Sequence, residues 1–333
     1  MLIAAAVAMA VGGGIITVPV VHAQELQQSV FVSVIRRGEP VLDLGAGEFV
    51  IEEDGVRREI LRAERAEVPM QVAILVDDSQ RVARNMSHLR NGLHSLLDGL
   101  PEGQQIALFS FGDRLRTIVD YTPNKKRLRD GVTRYAPFSE TSSYLLNAVA
   151  EIAVDLDRRG AIRPIIVLIT TEGANTGLAR ISVGRQRTAS TVISPRGGQG
   201  LDANQVLRVL EDRMVAVHSL VIRGFGDLGT PDFVTDPGFS SATRGALVWD
   251  TGDRDRSSLF ERLPKVTGGA REELGTSSAV PKILAKVAND ITSQYLVTYA
   301  RPVGLISPQK VGVTVTRRRH QVRSTRSRPI RMR

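Results

Sequence analysis

Val72-Ala73-Ile74-Leu75-Val76 is a short, wholly apolar run that leads straight into Asp77-Asp78-Ser79-Gln80-Arg81. A run of that length bounded by polar residues predicts a strand buried on both faces, the kind that parallel sheets bury under helices. Open α/β sheets bind ligands beyond the carboxyl ends of their strands. Asp77 and Ser79 are therefore expected at the ligand-binding edge of a doubly wound sheet.

The residues that follow alternate helix and strand patterns, as such a fold requires. Met86, Leu89, Leu93, Leu96, Leu97 and Leu100 recur at helical spacing, and Ile106 to Phe111 and Leu115 to Val119 predict a hairpin. Helices are expected at Lys125 to Val132, Tyr144 to Leu156, Val206 to Leu210 and Leu259 to Val266, and a last one carries Ile283, Leu284, Val287 and Ile291. Strands are expected at Ile165 to Thr170, Val215 to Ile222 and Ala270 to Leu274. The fold class is α/β, a doubly wound, mainly parallel sheet flanked by helices.

Both ends of the chain read differently. Val30, Val32 and Val34 alternate with Phe31, Ser33 and Ile35, and Tyr295 to Tyr299 and Val311, Val313 and Val315 alternate again. Phe49 to Glu53 and Val56 to Leu61 flank Asp54-Gly55, a dipeptide that accepts the positive φ angles of a tight hairpin turn. Two inserts, Ala174 to Gly200 and Gly224 to Arg256, carry no regular pattern, and the first holds Arg180, Arg185, Arg187 and Arg196 without an acid.

Order and punctuation across nearly the whole mature chain resemble the von Willebrand factor type A-related domain family of the acidobacterial secreted type. Glu48-Phe49 with Glu53-Asp54-Gly55-Val56 is similar to that family's entry hairpin, Thr267-Gly268-Gly269 to its late turn, and Ser293-Gln294-Tyr295-Leu296 to its exit from the last helix. The resemblance implies a type A domain at 69–293 between an N-terminal β arm at 24–68 and a C-terminal β arm with a basic tail at 294–333. The arms are expected to pair into one small β module.

The resemblance also implies a metal-ion-dependent adhesion site, which takes an Asp and two Ser from the first loop, a Thr from a second and an Asp from a third. Asp77 and Ser79 match, but Arg81 stands at the second Ser. Ser143 aligns with the Thr, Thr141 being the alternative, and Thr171 aligns with the third-loop Asp, with Glu172 beside it. Magnesium and manganese are usually held through one or two carboxylates. A guanidinium about 5 Å from a dication adds roughly 7 kcal/mol of repulsion at an effective dielectric near 20. The expectation is a degenerate site without a metal cofactor, in which Arg81 pairs with Asp77 and replaces the ion. If a metal does bind, Asp77, Ser79, Ser143 and Glu172 hold it.

The first 23 residues carry no formal charge, are interrupted by Gly12-Gly13-Gly14 and Pro19, and end in Val21-His22-Ala23. That is a secretory pattern with cleavage after Ala23, residues 1–21 as an uncleaved membrane anchor being the alternative. The protein is expected to be secreted or periplasmic. Its net charge of +9 then points to an envelope or extracellular protein or an anionic polymer as partner, not to nucleic acid. Much of that charge lies in Arg317, Arg318, Arg319, Arg323, Arg326, Arg328, Arg331 and Arg333, read as an edge strand and frayed end.

Other motifs fail on context. Gly224-Phe225-Gly226-Asp227-Leu228-Gly229 lacks a following helix, because Pro231 and Pro237 intervene. His88 and His94 are six residues apart, not four. Asp253 and Asp255 alternate with Arg254 and Arg256, which predicts a self-neutralised loop. The function expected is a non-enzymatic binding module acting through the sheet-edge loops. The alternatives are a metal-dependent adhesion module and a hydrolase with Ser79 as nucleophile and His218 as base, the latter disfavoured by the place of His218 inside a strand.

Overall fold

The computed structural model describes residues 25–139, 142–171, 201–223, 251–302 and 310–326. The leader, the first insert and most of the second lie outside them, as does the Gly224 to Gly229 motif. Among the described residues no helix is long and apolar enough to cross a membrane.

In β1 (Glu25–Arg36) both faces are buried, Val30, Val32 and Val34 on one and Phe31 and Ser33 on the other. It turns back into β2 (Glu39–Pro40), and β3 (Phe49–Glu53) then pairs with β4 (Val56–Arg58). Asp54 and Gly55 between them have φ of 48° and 81°, the positive pair that a I′ turn imposes. The stretch predicted as one strand to Leu61 breaks at Glu59. There the chain changes partner: the Glu59 carbonyl accepts from the Ala300 N–H at 2.9 Å, and β5 (Ile60–Arg65) joins a different sheet.

The α/β unit follows as β6 (Met70–Asp77), α1 (Met86–Gly99), β7 (Gln105–Phe111), β8 (Leu115–Thr122), α2 (Lys125–Arg134), α3 (Leu145–Arg158), β9 (Arg163–Thr171), α4 (Ala203–Asp212), β10 (Ala216–Ile222), α5 (Thr251–Thr267), β11 (Arg271–Leu274) and α6 (Val280–Thr292). The six-stranded sheet has the order β11-β10-β9-β6-β7-β8, and β8 runs antiparallel to β7 while the other neighbours are parallel. Alternate residues of β6 feed opposite cores. Val72, Ile74 and Val76 pack under α1, α2 and α6, and Ala73 and Leu75 under α3, α4 and α5. Burial on both faces is why the strand reads as a continuous apolar run rather than an alternating one.

The chain then returns through β12 (Tyr295–Pro302), β13 (Val311–Val315) and β14 (Gln321–Arg326). Sheet β14-β1-β12-β5 stacks on sheet β13-β3-β4 over Val30, Val32, Phe49, Ile51, Tyr295, Val297 and Tyr299. The outer face of the larger sheet lies against the α/β unit. Gln294 donates to Ser33 Oγ at 3.0 Å, Thr325 Oγ1 donates to the Thr267 carbonyl at 2.6 Å, and the Arg163 guanidinium lies 5.0 Å over the Phe31 ring. The basic tail is largely neutralised where it is described. Arg317 pairs with Asp43 and Glu48, holding both carboxyls below their ordinary range, Arg323 with Asp290 at 2.7 Å, and Arg326 with Glu211 at 3.4 Å.

Candidate functional site

β6 sits centrally in the sheet and ends at Asp77, so its carboxyl end opens between the ends of β7 and β9. The backbone after it is stitched down. Asp78 N–H donates to Phe111 O, the Asp78 carbonyl accepts from Phe138 and Ser139, Gln80 N–H donates to Ser139 O, and the Tyr135 hydroxyl donates to the Asp77 carbonyl. Burial, and then the Asp77 and Asp78 charges, push the Tyr135 hydroxyl well above its ordinary pKa, so it acts as a fixed donor.

Both acids are buried, and each meets its own arginine. Asp77 Oδ1 accepts from Ser79 N–H at 2.9 Å, and Oδ2 accepts from Thr170 Oγ1 at 3.1 Å, Thr171 Oγ1 at 3.2 Å and Thr171 N–H at 3.4 Å. Arg256 Nη2 stands 3.9 Å from the same Oδ2. Its guanidinium also donates to the Thr170 hydroxyl, to Thr171 O at 2.8 Å, and to Ser142 Oγ and O at 3.2 and 3.3 Å. Asp78 Oδ2 accepts from Ser110 Oγ at 2.7 Å and Arg116 Nη1 at 2.8 Å. Arg116 reaches on to Asp113, whose carboxyl is held below its ordinary range: burial works against this, and the Ser139 hydroxyl and Arg116 outweigh it.

The site thus joins Asp77, Ser79 and Thr171, as the sequence predicts, but differs in three respects. The cation set against Asp77 is Arg256, while Arg81 lies half-buried in the 3-10 segment Gln80–Asn85. The hydroxyl facing inward from the second loop is Ser142, buried and bonded to Arg256, whereas Ser143 is exposed. Arg256 belongs to α5, not to a self-neutralised loop, because the helix begins at Thr251 and runs to Thr267. Thr141 and Glu172 lie outside the described residues. Sequence reasoning missed Asp78, Ser110, Arg116 and Arg256. The signal for the arginines was the Asp77-Asp78 doublet at the end of a buried strand, which demands two counter-charges.

Ser79 and His218 do not form a catalytic pair. His218 in β10 is level with Val167 in β9, and Val167 with Ile74 in β6, which leaves Ser79 five residues further on and two strands across, roughly 19 Å away. His218 instead lies beneath α6, where Nδ1 accepts from Ala270 N–H at 3.3 Å and stands 3.5 Å from Asp290. Burial pulls its pKa down to about 4, against the pull of Asp290, with Arg323 and Arg163 adding to the depression. Between pH 6.5 and about 4 the unfolded chain binds a proton here that the folded chain does not, so stability falls as pH falls through that window, by up to about 3 kcal/mol. Urea denaturation from pH 7 to 4 should show a shallower loss for His218→Asn than for the parent, and equal slopes would refute the assignment.

Residues 72–173, from within β6 to just past the end of β9, match the family profile of the von Willebrand factor type A domain. The chain carries a von Willebrand factor type A domain. Solved structures similar to it include proximal thread matrix protein 1 from the mussel byssus, at 13% identity and TM-score 0.43, covering 69% of this chain and 49% of that one. BatB from Bacteroides thetaiotaomicron follows at 15%, TM-score 0.40, covering 67% and 98%, and a von Willebrand factor type A protein from Catenulispora acidiphila at 10%, TM-score 0.41, covering 91% and 66%. The chain thus spans about half the length of the mussel protein. No curated protein matches it.

The type A domain implies a divalent ion at Asp77, and the described residues do not fit one. Each Asp77 oxygen already accepts from protein donors, Thr171 supplies a hydroxyl where a carboxylate is expected, and a buried guanidinium stands beside the carboxylate. The repulsion that argues against an ion near Arg81 therefore applies to Arg256, with less water to screen it.

Proposed function

We propose that the chain is an exported, non-enzymatic binding module that recognises a protein or anionic polymer of the envelope or surroundings through its sheet-edge loops, without a metal ion. Type A domains are interaction or adhesion modules, and the polar groups at this edge are committed to holding loops rather than to a nucleophile and base. Export rests on the pattern of residues 1–23. The observation that carries the binding reading is Phe138. It is 67% exposed beside Ser139, and its ring stacks on the Arg116 guanidinium at 4.2 Å. Aromatic and arginine side chains presented together at an edge are what protein-binding hot spots use.

The test is capture of partners from envelope extract by the full chain, with and without chelator, beside Phe138→Ala. Captured protein or polymer should persist in chelator, and Phe138→Ala should weaken it about tenfold. Capture abolished by chelator, or indifferent to Phe138, would overturn the reading.

A further inference from the structure

We infer that Arg256 is the resident cation of the type A site, a tethered guanidinium that balances Asp77 and ties the loops together where the fold family uses a divalent ion. This deepens the metal-free reading above and rests on it. Arg256 is 4% exposed, and its fork reaches three separate segments: Ser142 before α3, Thr170 and Thr171 at the end of β9, and Asp77 at the end of β6. The Thr170 hydroxyl accepts from Arg256 and donates to Asp77 Oδ2, so it relays between the two charges. A planar guanidinium with five donors suits such a junction, and a point charge such as lysine does not.

Two features show that the cation is built in rather than adventitious. Arg256 is placed by α5, whose Leu259, Phe260 and Leu263 are sunk in the core beneath the sheet, so its backbone is anchored within one helical turn of the charge. A tether of that kind gives the guanidinium an effective concentration on the order of millimolar or higher, which a free ion must beat while repelled by it. The Ser79 hydroxyl, on the same loop as Asp77, is buried and has no hydrogen-bond partner among the described residues. Vacating Arg256 would leave, among the described residues, the oxygens its guanidinium now faces: the Asp77 carboxylate, the Thr171 carbonyl, and the hydroxyls of Ser142 and Thr170. That is the donor set of a hard cation.

Thermal unfolding of the full chain tests this with Arg256→Met, Asp77→Asn and the double variant, each in chelator and in millimolar Mn²⁺. The parent Tm should be the same in both. Arg256→Met should melt about 10 °C lower in chelator, because it strands a buried carboxylate, and Mn²⁺ should raise that Tm in a saturable way. The double variant should melt no lower than Arg256→Met, since removing both charges removes the conflict. If Arg256→Met fails to fold, recovery of folding in the double variant upholds the pairing and its failure overturns it. Independent, additive losses, a parent Tm raised by Mn²⁺, or an Arg256→Met variant indifferent to Mn²⁺ would each overturn the inference. Partner capture separates the two claims. Capture lost in chelator defeats the metal-free reading itself, whereas chelator-resistant capture with additive Tm losses defeats only the role of Arg256.

Discussion

Arg163→Met is expected to lower the stability of the chain by about 3 kcal/mol, although it removes a buried charge. Arg163 begins β9 at the end of the sheet opposite Asp77, is buried, and faces no acid among the described residues. Its Nη2 donates to the Ile291 carbonyl and to Gln294 Oε1 at 2.7 Å, and Nη1 donates to the Ala66 carbonyl at 3.2 Å. Ala66 lies on the crossing from β5 to β6, and Ile291 and Gln294 flank the return from α6 to β12. One guanidinium therefore ties both passages of the chain between the β module and the type A domain.

Two terms of opposite sign decide the outcome. Burial has pulled the Arg163 pKa down to about 10, a penalty of about 3 kcal/mol that the substitution relieves. Three acceptors, the Ile291 carbonyl and Gln294 Oε1 buried and the Ala66 carbonyl half-buried, would then lose a charged donor at about 2 kcal/mol each, roughly 6 kcal/mol together. The acceptors win. Urea denaturation should show a clearly lower midpoint for Arg163→Met. A midpoint equal to the parent's would mean that water replaces the guanidinium without loss.

How much of this was readable before the structure depended on whether the cause is local. β6, its neighbours and the Asp54-Gly55 turn follow from periodicity and turn chemistry, so they were legible, as was the placement of Asp77 and Ser79 at the sheet edge. Arg256 was not, because the alternating charges of Gly252 to Arg256 look balanced among themselves. Its partners Thr170 and Thr171 lie some 85 residues earlier, and only the packing of α5 brings them together. Ser142 and Ser143 differ by one position on a loop, where no period fixes which one turns inward. The tripeptide and tetrapeptide motifs that carried the family resemblance gain a physical meaning only in three dimensions. Glu53 is buried against Arg58 and Tyr299, Gln294 bridges Arg163 and Ser33, and Tyr295 packs edge-on to Phe49 and accepts from Leu44 N–H. These residues build and join the β module and do not touch the Asp77 site.

The late turn shows this most sharply, and Gly269→Ala is expected to destabilise the chain by about 3 kcal/mol, or near 10 °C in Tm. A Cβ on Gly269 would collide with the backbone carbonyl of Val217 and come within 3.0 Å of His218 N. Neither obstacle is a flexible side chain. The turn cannot back away either, because the Thr267 hydroxyl accepts from Val217 N–H at 3.2 Å, Ala270 O accepts from Ser219 N–H at 2.8 Å, and Thr325 of β14 is bonded to the Thr267 carbonyl. Relief would require β11 to part from β10, or β14 to lift from α5, and each move breaks hydrogen bonds that are buried. Gly275 is the matched control: a Cβ there meets nothing within 4 Å, and its substitution by alanine should stay within about 0.5 kcal/mol of the parent. Thermal melts of the two variants side by side measure the difference, and a Gly269→Ala Tm as high as that of Gly275→Ala would show that the turn is looser than its contacts demand.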